Sequence, residues 1–457
     1  MRKTLALLLG VAFLYLVPSA PPSIKSQTLV ASSKFHTVAN PIPNRYIVVL
    51  ATTDLSHIAA PAPGQKATTP TSAQASATSA SSSDSSSNSF GAAPIPADPQ
   101  VIATATNLTS TYGGTFSLTW GVALKGFRLH STAAEAIAMS GDSRVAFIVE
   151  DGAIAVGTPD GEPILMTLDP GGFLYPPPPL SWGLDRINQR NLPLDRSYAY
   201  GNDGQGVNAY VIDTGIRTTH WEFQERASNI YDFDPEGNGV DCNGHGTHVA
   251  GTIGGQTFGV AKEVRLFGVR VLNCQGTGTW SDVIGGVNYV TWHRAQPAQQ
   301  GIPALANMSL GGSENRAVEA AVRNSIRAGV TYVVAAGNVN GDAGDYSPAG
   351  VSEAITVGAT DESDSRGEFS NYGSTLDLFA PGVSIPSAWI GDDLMIANAT
   401  GTSMAAPHVA GVVALYLQTN RSASPATVRS ALVGTSTFGL VSNPGEGSPN
   451  RLLFTNY

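Results

Sequence analysis

The second half of the chain alternates short apolar segments with helical ones, and this pattern constrains the fold more than any other feature. Strands buried on both faces are apolar along their whole length, which is typical of a parallel sheet covered by helices on both sides. The predicted strands are 207–212, 264–271, 305–310, 331–336 and 354–358, and the predicted helices are 281–293 and 317–328.

This alternation predicts one large α/β domain over residues 182–457. Polar residues that serve chemistry in such sheets collect at the carboxyl ends of the strands. Asp213, Ser309 and Asn338 each fall at or just past a predicted strand end. We therefore expect these three side chains at one edge of the sheet.

A smaller α+β unit is predicted ahead of this domain, over residues 42–156. It is interrupted by an Ala/Ser/Pro/Thr-rich insertion, 59–99, which has too few large apolar side chains to fold. A connector, 157–181, contains a run of four prolines and is predicted to be an exposed linker.

The amino terminus has the pattern of an export signal. Arg2 and Lys3 precede an apolar stretch over 5–17, which predicts a signal peptide over residues 1–27 and a secreted, extracellular protein. The alternative is a transmembrane anchor, for which the stretch is short, and no interior run is long enough to span a bilayer. The net charge of −10 argues against nucleic acid or an anionic membrane as a partner.

The two cysteines, Cys242 and Cys274, favour a disulfide in an exported chain, with two buried free thiols as the alternative. A bridge at Cys242 would brace the loop that leads to His245, three residues later. The pair offers too few ligands for a structural metal site.

Three Gly-containing segments supply an Asp, a His and a Ser in that order along the chain. This order, within runs of small residues, indicates nucleophilic acyl transfer. The segments are Tyr210-Val-Ile-Asp-Thr-Gly215, Asn243-Gly-His-Gly-Thr-His-Val-Ala-Gly-Thr252 and Gly401-Thr-Ser-Met-Ala-Ala-Pro-His-Val-Ala-Gly411.

Three residues of these segments have a predicted catalytic role. Ser403, at the start of a predicted helix, is the candidate nucleophile, His245 its general base and Asp213 the group that orients His245. The Asn338 amide and the Ser403 backbone N–H form the candidate oxyanion hole. Taken alone, the Ser, Asp and Asn also suit helix caps or turns. His248 is interpreted as structural rather than as a metal ligand, because no Glu follows His245.

These segments, with Asn307-Met-Ser-Leu-Gly-Gly312 and Ala335-Ala-Gly-Asn338, resemble the subtilisin-like serine proteases, in particular the aqualysin-type members of the proteinase K branch. The similarity runs over residues 182–453. It implies a subtilisin-like fold and an endopeptidase that cleaves polypeptides through an acyl-enzyme, with a broad preference for apolar or aromatic P1 side chains. We expect a monomer. An esterase or amidase with the same triad and a non-catalytic binding relative are the alternatives.

The resemblance also assigns residues to substrate binding. Segment 309–312 should form one wall of the P1 pocket, and segment 276–280 should provide a strand that pairs with extended substrate, with Trp280 near the P4 pocket. The residues assigned in this way are Gly276, Thr277, Gly278, Trp280, Ser309, Leu310, Gly311, Ala336 and Gly337.

Structural calcium and one disulfide are implied by the same resemblance. At the first expected calcium site, the ligands are the Asp377 carboxylate and the carbonyls of Ser352 and Ala354, which are oxygen ligands of the kind that Ca²⁺ takes. The two cysteines match one aqualysin-type disulfide. The second expected calcium site, in which Asn188 replaces an Asp common in relatives, comprises Asp185, Asn188, Gln189 and Asp195.

The first unit resembles the inhibitory propeptide of subtilisins. The matching segments are Tyr46-Ile-Val-Val-Leu50, Lys125-Gly-Phe127 and Val145-Ala-Phe-Ile-Val-Glu-Asp-Gly152. The resemblance implies a ferredoxin-like unit that assists folding and blocks the cleft with its carboxyl-terminal segment. It also implies removal by cleavage between residues 156 and 175. An inhibitor that acts in trans is the alternative for this unit.

Overall fold

The computed structural model of the chain describes residues 33–51, 95–157, 160–168, 174–175, 181–233 and 239–457. The expected signal segment, 1–27, and most of the expected insertion, 59–99, lie outside these residues. Within the described ranges, no helix is long and apolar enough to cross a membrane.

The first unit has the element order β-α-β-β-α-β behind one short additional strand. The elements are β1 Phe35–His36, β2 Pro41–Leu50, α1 Pro99–Tyr112, β3 Thr115–Trp120, β4 Gly126–His130, α2 Ala133–Ser140 and β5 Val145–Ala155. The sheet order is β1-β5-β2-β4-β3, with antiparallel pairing on both sides of β2 and β4, which is the expected ferredoxin-like arrangement.

Two boundaries of this unit differ from the prediction. Helix α1 begins at Pro99, inside the segment assigned to the insertion, because the Asp98 side chain caps it by accepting from Gln100 N–H. Proline suits the first position of a helix, where its missing N–H costs nothing. Strand β1 pairs with β5 in parallel, so the unit starts before residue 42.

The second unit contains the predicted alternation of strands and helices. Between the two units lie three short strands, β6 Ile164–Leu165, β7 Thr167–Leu168 and β8 Leu174–Tyr175. The elements of the second unit are α3 Trp182–Ile187, β9 Asn208–Asp213, β10 Ala227–Asp232, α4 His245–Gly254, β11 Arg265–Arg270, β12 Thr277–Thr279, α5 Trp280–Ala295, β13 Ala304–Met308, β14 Gly312–Ser313, α6 Arg316–Arg327, β15 Thr331–Ala335, β16 Tyr346–Ser347, β17 Ile355–Thr360, β18 Leu378–Pro381, β19 Ile385–Ala388, β20 Met395–Ala399, α7 Thr402–Thr419, α8 Pro425–Thr435, β21 Thr437–Phe438 and β22 Arg451–Leu452.

The core of the second unit is a sheet with the order β10-β11-β9-β13-β15-β17-β18-β22-β21, parallel except for its last pair. Successive side chains of a strand point to opposite faces. In β9, Ala209 and Val211 pack on the side of α4 and α7, whereas Tyr210 and Ile212 pack on the side of α5 and α6. The prediction of a parallel sheet covered on both faces is confirmed.

The sheet order brings the carboxyl ends of three neighbouring strands to one edge. Asp213 is the last residue of β9, Ser309 directly follows β13, and Asn338 lies three residues past β15. Helix α7, which is buried along most of its length, carries Ser403 in its first turn. The expected meeting of strand ends is therefore observed.

The two units share an apolar cluster and a buried charged contact. Ile47 and Trp120 of the first unit belong to the same cluster as side chains of α5 and α6. Asp151 is fully buried and accepts hydrogen bonds from Arg45 at 2.8 Å and from the backbone N–H and hydroxyl of Ser281 at 3.1 and 2.7 Å. The N-terminal turn of α5 thus binds a carboxylate of the first unit, where the helix dipole favours negative charge.

Strand β5 runs from Val145 to Ala155 and extends beyond the sheet of the first unit. Its last three residues pair antiparallel with β12 of the second unit, with Ile154 opposite Gly278.

Candidate active site

His245 is the first residue of α4, and Asp213 holds its ring. Nδ1 lies 2.8 and 3.0 Å from the two Asp213 carboxylate oxygens. The Asp213 Oδ1 also accepts from Thr214 N–H at 2.8 Å. An Asp bonded to Nδ1 leaves Nε2 as the nitrogen that takes up a proton. Nε2 is buried and has no hydrogen-bond partner within the described residues.

The charges around His245 favour its protonated form. Burial, the largest single effect, lowers the pKa of His245. The charge and hydrogen bond of Asp213 and the charge of Asp241 together outweigh it and leave the pKa above the ordinary value of 6.5. Asp241 is itself buried and accepts from Gly244 N–H and from the N–H and hydroxyl of Thr247. These bonds fix the loop that delivers His245 to the cleft.

Ser403 is the second residue of α7 and is 8% exposed. Its hydroxyl donates to the Ser309 carbonyl at 3.0 Å, and the Ser309 hydroxyl donates to the Ser403 carbonyl at 2.7 Å. The Ser403 hydroxyl is therefore not hydrogen-bonded to His245 in this structure. To donate to Nε2, the hydroxyl has to leave the Ser309 carbonyl.

Asn338 lies beside the start of α7, and Thr402 fixes its amide. The Asn338 Oδ1 accepts from the Thr402 N–H at 2.9 Å and from the Thr402 hydroxyl at 2.8 Å. The NH₂ group makes no hydrogen bond within the described part of the chain. The Ser403 N–H lies in the first turn of α7, where backbone donors have no intrahelical acceptor. Two donors are thus available on one side of the cleft.

A cavity of about 220 Å³ opens between these residues. Two of its walls are the segments predicted for substrate binding, 309–312 and 336–337. Tyr346 and Ala349 contribute further apolar surface, and no residue that lines the cavity is charged. A cavity of this kind accepts an apolar side chain.

The predicted substrate-pairing segment is a strand, and its partner in this structure is the chain itself. Besides the pairing of β5 with β12, Ala155 forms a bridge with Gly311 on the opposite wall of the cleft. Val156 N–H then donates to the Gly276 carbonyl at 2.9 Å. Trp280, which the resemblance places near the P4 pocket, is buried at the start of α5. The chain thus lies in the cleft as an extended polypeptide.

Cys242 and Cys274 form a disulfide that ties the loop before His245 to the loop before β12. Next to this loop, His248 Nε2 lies 2.9 Å from the Ile385 carbonyl oxygen, and burial lowers the pKa of His248 to about 3. A buried, neutral histidine bonded to a backbone carbonyl agrees with the structural interpretation of His248.

The arrangement of the side chains does not support the first expected calcium site. Asp377 is buried, with Oδ1 2.6 Å from Arg429 Nη2, and Oδ2 accepts from Thr356 N–H at 3.0 Å. Both carboxylate oxygens are therefore engaged. A calcium ion with Ser352 and Ala354 as further ligands would have to displace Arg429 from this carboxylate.

The second expected calcium site brings three oxygen-bearing side chains together. Oxygens of Asp185 and Gln189 both lie 3.3 Å from Asp195 N–H, and burial together with the nearby Asp195 charge raises the pKa of Asp185. Asn188 is not part of this set, because its amide, when oriented to satisfy both neighbours, bridges the Asp185 carbonyl and Ala199 N–H. In the described residues no group of three or more His, Cys, Asp or Glu is arranged for a metal. Both Asp185 oxygens accept backbone N–H groups and Asp195 Oδ1 accepts from Ser197, but no cationic side chain of the described residues occupies these carboxylates. Their remaining lone pairs, with Gln189 and water, fit the ligand preference of Ca²⁺.

Two further residues hold the site, Thr402 and Asp241, and neither was predicted from the sequence. Both stand next to a predicted motif, since Thr402 precedes Ser403 directly and Asp241 lies four residues before His245. A Thr at a helix start and an Asp ahead of Asn-Gly are typical of side chains that bond nearby backbone N–H groups. That signal was present in the sequence.

Comparison with known proteins gives the class to which this fold and site belong. A profile of the subtilase family of peptidases matches residues 204–452, just over half of the chain. The chain therefore belongs to the subtilase family.

The chain is similar to several serine proteinases. It is 55% identical over 280 residues to an extracellular serine proteinase of Thermus sp. (strain Rt41A), a match that covers 61% of this chain and 67% of that protein. It is 52% identical over 275 residues to alkaline serine exoprotease A of Vibrio alginolyticus, which covers 60% of this chain and 50% of that one. The crystal structure of a cold adapted subtilisin-like serine proteinase matches with a TM-score of 0.57 and 52% identity, covering 60% of this chain and 98% of that chain. The chain thus spans half the length of the Vibrio relative.

Proposed function

We propose that the chain is the precursor of a secreted serine endopeptidase that hydrolyses peptide bonds with Asp213, His245 and Ser403. The observation that carries this proposal is the extended strand, 153–156, that pairs along β12 next to Ser403. A cleft that binds a polypeptide backbone by strand addition favours peptides over small esters as substrates.

The chemistry follows from the contacts of the three residues. Asp213 holds the His245 tautomer that leaves Nε2 unprotonated. The Ser403 hydroxyl turns from the Ser309 carbonyl to Nε2, gives up its proton and attacks the substrate carbonyl carbon. Asp213 stabilises the imidazolium, which then donates the proton to the leaving amine as the C–N bond breaks. A water molecule repeats these steps on the acyl-enzyme and releases the acid.

The oxyanion of each tetrahedral intermediate would accept hydrogen bonds from the Asn338 NH₂ and the Ser403 N–H. Because Thr402 already occupies the Asn338 oxygen with two hydrogen bonds, the amide is oriented before substrate arrives. Preorganised donors of this kind lower the barrier by about 3 kcal/mol each. The uncharged cavity beside them supports the expected preference for apolar or aromatic P1 side chains.

The domain boundaries divide the proposed precursor into four segments. Residues 1–27 would be the signal peptide, the unit over 42–156 the inhibitory propeptide, 157–181 the processing linker and 182–457 the peptidase. The buried Asp151 contacts and the strand in the cleft support inhibition, because a substrate cannot pair with β12 while β5 does. The extracellular proteinase among the relatives supports secretion.

Hydrolysis of casein by the processed chain, measured beside turnover of a small ester, tests this proposal. We expect internal cleavage of casein, because the cleft binds extended backbone. Ester turnover without casein cleavage would favour the esterase alternative, and activity towards neither would favour a binding relative.

Activity is expected to appear as the pH rises through the pKa of His245. The group must be neutral to accept the Ser403 proton, and its pKa lies above 6.5. The value of kcat/KM for a peptide should therefore be low in acid and should reach half of its plateau above pH 6.5. A pH-independent rate, with folding verified at each pH, would contradict His245 as the base.

We also propose a structural calcium ion held by Asp185, Gln189 and Asp195, in a family whose members commonly bind calcium. The ion would stabilise the loop after α3 by neutralising two carboxylates. A chelator should then lower the melting temperature by about 2–4 °C for each kcal/mol of binding free energy lost. The Ser403→Ala background prevents self-digestion during this measurement.

Asp195→Asn in the same background is the matched variant for the calcium proposal. It should melt lower than its parent in calcium and should lose most of the response to the chelator. An unchanged melting curve of the parent, or a full chelator response in Asp195→Asn, would count against this site.

A further inference from the structure

The chain crosses the cleft in a defined register on one side of Ser403. Ala155 bridges Gly311 on one wall, and Val156 N–H donates to the Gly276 carbonyl on the other. The Val156 side chain packs against Gly276, since a Cβ on Gly276 would lie 2.9 Å from Val156 Cγ2. Val156 is thus already engaged, and the next residue along the cavity is Gly157.

The chain is held again on the other side of Ser403. Asp160 N–H donates to the Asn398 carbonyl at 2.8 Å, and the Thr400 hydroxyl donates to the Asp160 carboxylate. Asn398 and Thr400 belong to the segment that leads into α7 and Ser403. Strand β6 then pairs antiparallel with β20. Val156 and Asp160 are thus both held, so a bond of this stretch that Ser403 attacks would lie between them.

Four peptide bonds lie between Val156 and Asp160, and chemistry separates them. Pro159 disfavours cleavage of the two peptide bonds that it forms. The bond before Pro159 has a tertiary nitrogen. Cleavage of the bond after Pro159 would need extended backbone at this residue, whose φ is fixed near −65°. Cleavage of the bond after Val156 would require the Val156 side chain, which packs against Gly276, to enter the cavity. Resting on the proposed function, we infer that the bond hydrolysed first is Gly157–Thr158, with the side-chain cavity empty at this junction.

Hydrolysis of this bond requires only groups of the chain itself and a water molecule. Ser403 Oγ bonds to the Gly157 carbonyl carbon, and the bond to the Thr158 nitrogen breaks. The proton that His245 took from Ser403 passes to that nitrogen. Water then releases Gly157 as a carboxylate, and Thr158 becomes the first residue of the large fragment.

Recognition of this junction comes from residues ahead of the bond. Ile154 is buried in the same cluster as Trp280. By contrast, a Cβ on Gly157 would meet no atom within 4 Å, and the adjacent cavity of about 220 Å³ has room for an aromatic side chain. An unfilled apolar cavity forgoes binding free energy in the transition state. The junction is therefore a slow substrate that a side chain at residue 157 improves.

Refolding of the full chain from denaturant, followed by mass and amino-terminal sequence over time, tests both the assigned bond and the empty cavity. The first-formed fragments should end at Gly157 and begin at Thr158. Gly157→Phe should form them at least about 10-fold faster than wild type. Gly157→Ala removes the conformational freedom of glycine but fills little of the cavity, so it should give only a small part of this gain.

The outcomes separate this inference from the proposed function. A first cut at another bond, with casein hydrolysis intact, would overturn the bond assignment alone. Processing of Gly157→Phe no faster than that of Gly157→Ala would overturn the inference that the cavity is empty at this junction.

If these variants misfold, peptides with the sequence of 153–162 and Gly or Phe at position 157 are compared as substrates of processed wild type. The Phe peptide should have the higher kcat/KM. An equal or lower value would overturn the inference that the cavity is empty at this junction. Absence of both processing and casein hydrolysis would instead contradict the proposed function.

Discussion

Ser403→Ala is expected to leave the precursor uncut and to abolish casein hydrolysis. Loss of the nucleophile removes the acyl-enzyme route, and the rate should fall by about 10⁶-fold, the size of the corresponding loss in subtilisin. The change removes a hydroxyl that bonds only the Ser309 carbonyl among the described residues, so the fold should persist. Intact mass should show fragments for wild type and one joined chain for the variant.

Ser430→Ala is the matched control, because Ser430 lies exposed on α8 and away from the cleft. It should be processed and should cleave casein like wild type. If Ser403→Ala splits as fast as wild type in purified form, an outside protease cuts the chain, and self-processing is wrong. Adding processed wild type to the Ser403→Ala precursor then measures how much cutting occurs between molecules.

Asn338→Ala is expected to lower kcat by about 10²–10³-fold while KM changes little. The NH₂ group contributes only when negative charge develops on the carbonyl oxygen, so its loss raises the barrier without weakening ground-state binding. Steady-state kinetics on a peptide substrate measure the two constants separately. A loss of the same size confined to KM would contradict the oxyanion role.

Asn338→Asp distinguishes the missing donor from a disturbed helix start. It retains an oxygen that can accept from Thr402 but has no N–H for the oxyanion. The kcat of this variant should fall at least as far as that of the alanine variant. Asn420→Ala, at the opposite end of α7, removes an exposed carboxamide and should leave kcat unchanged.

Three strand ends of the large sheet could be predicted because the apolar run stops at or just before a polar residue with a proposed chemical role. Asp213, Ser309 and Asn338 follow β9, β13 and β15 at the expected places. Parallel order then brings them together without any knowledge of longer-range contacts. The motif around Ser403 likewise predicted the buried helix that begins there.

Contacts between distant segments could not be predicted from local pattern. Gly152 and the small residues after it look like the end of a strand, yet β5 continues because β12 supplies hydrogen bonds from another unit. Arg429 lies far from Asp377 in sequence, and only the folded chain shows that it engages the carboxylate expected to bind calcium. Both cases depend on which edges and charges the tertiary fold brings within reach.

Reaction of the processed chain with an organofluorophosphonate, followed by peptide mass mapping, tests the central claim most directly. The reagent phosphonylates a serine only when an adjacent base and oxyanion donors activate it. We predict a single adduct, on Ser403, that appears with the loss of casein hydrolysis and that is absent in His245→Ala once added wild type has cut its linker and the cleft is open. Full proteolysis without an adduct on Ser403, or an adduct that forms equally in His245→Ala, would contradict the assignment of His245 and Ser403 as base and nucleophile.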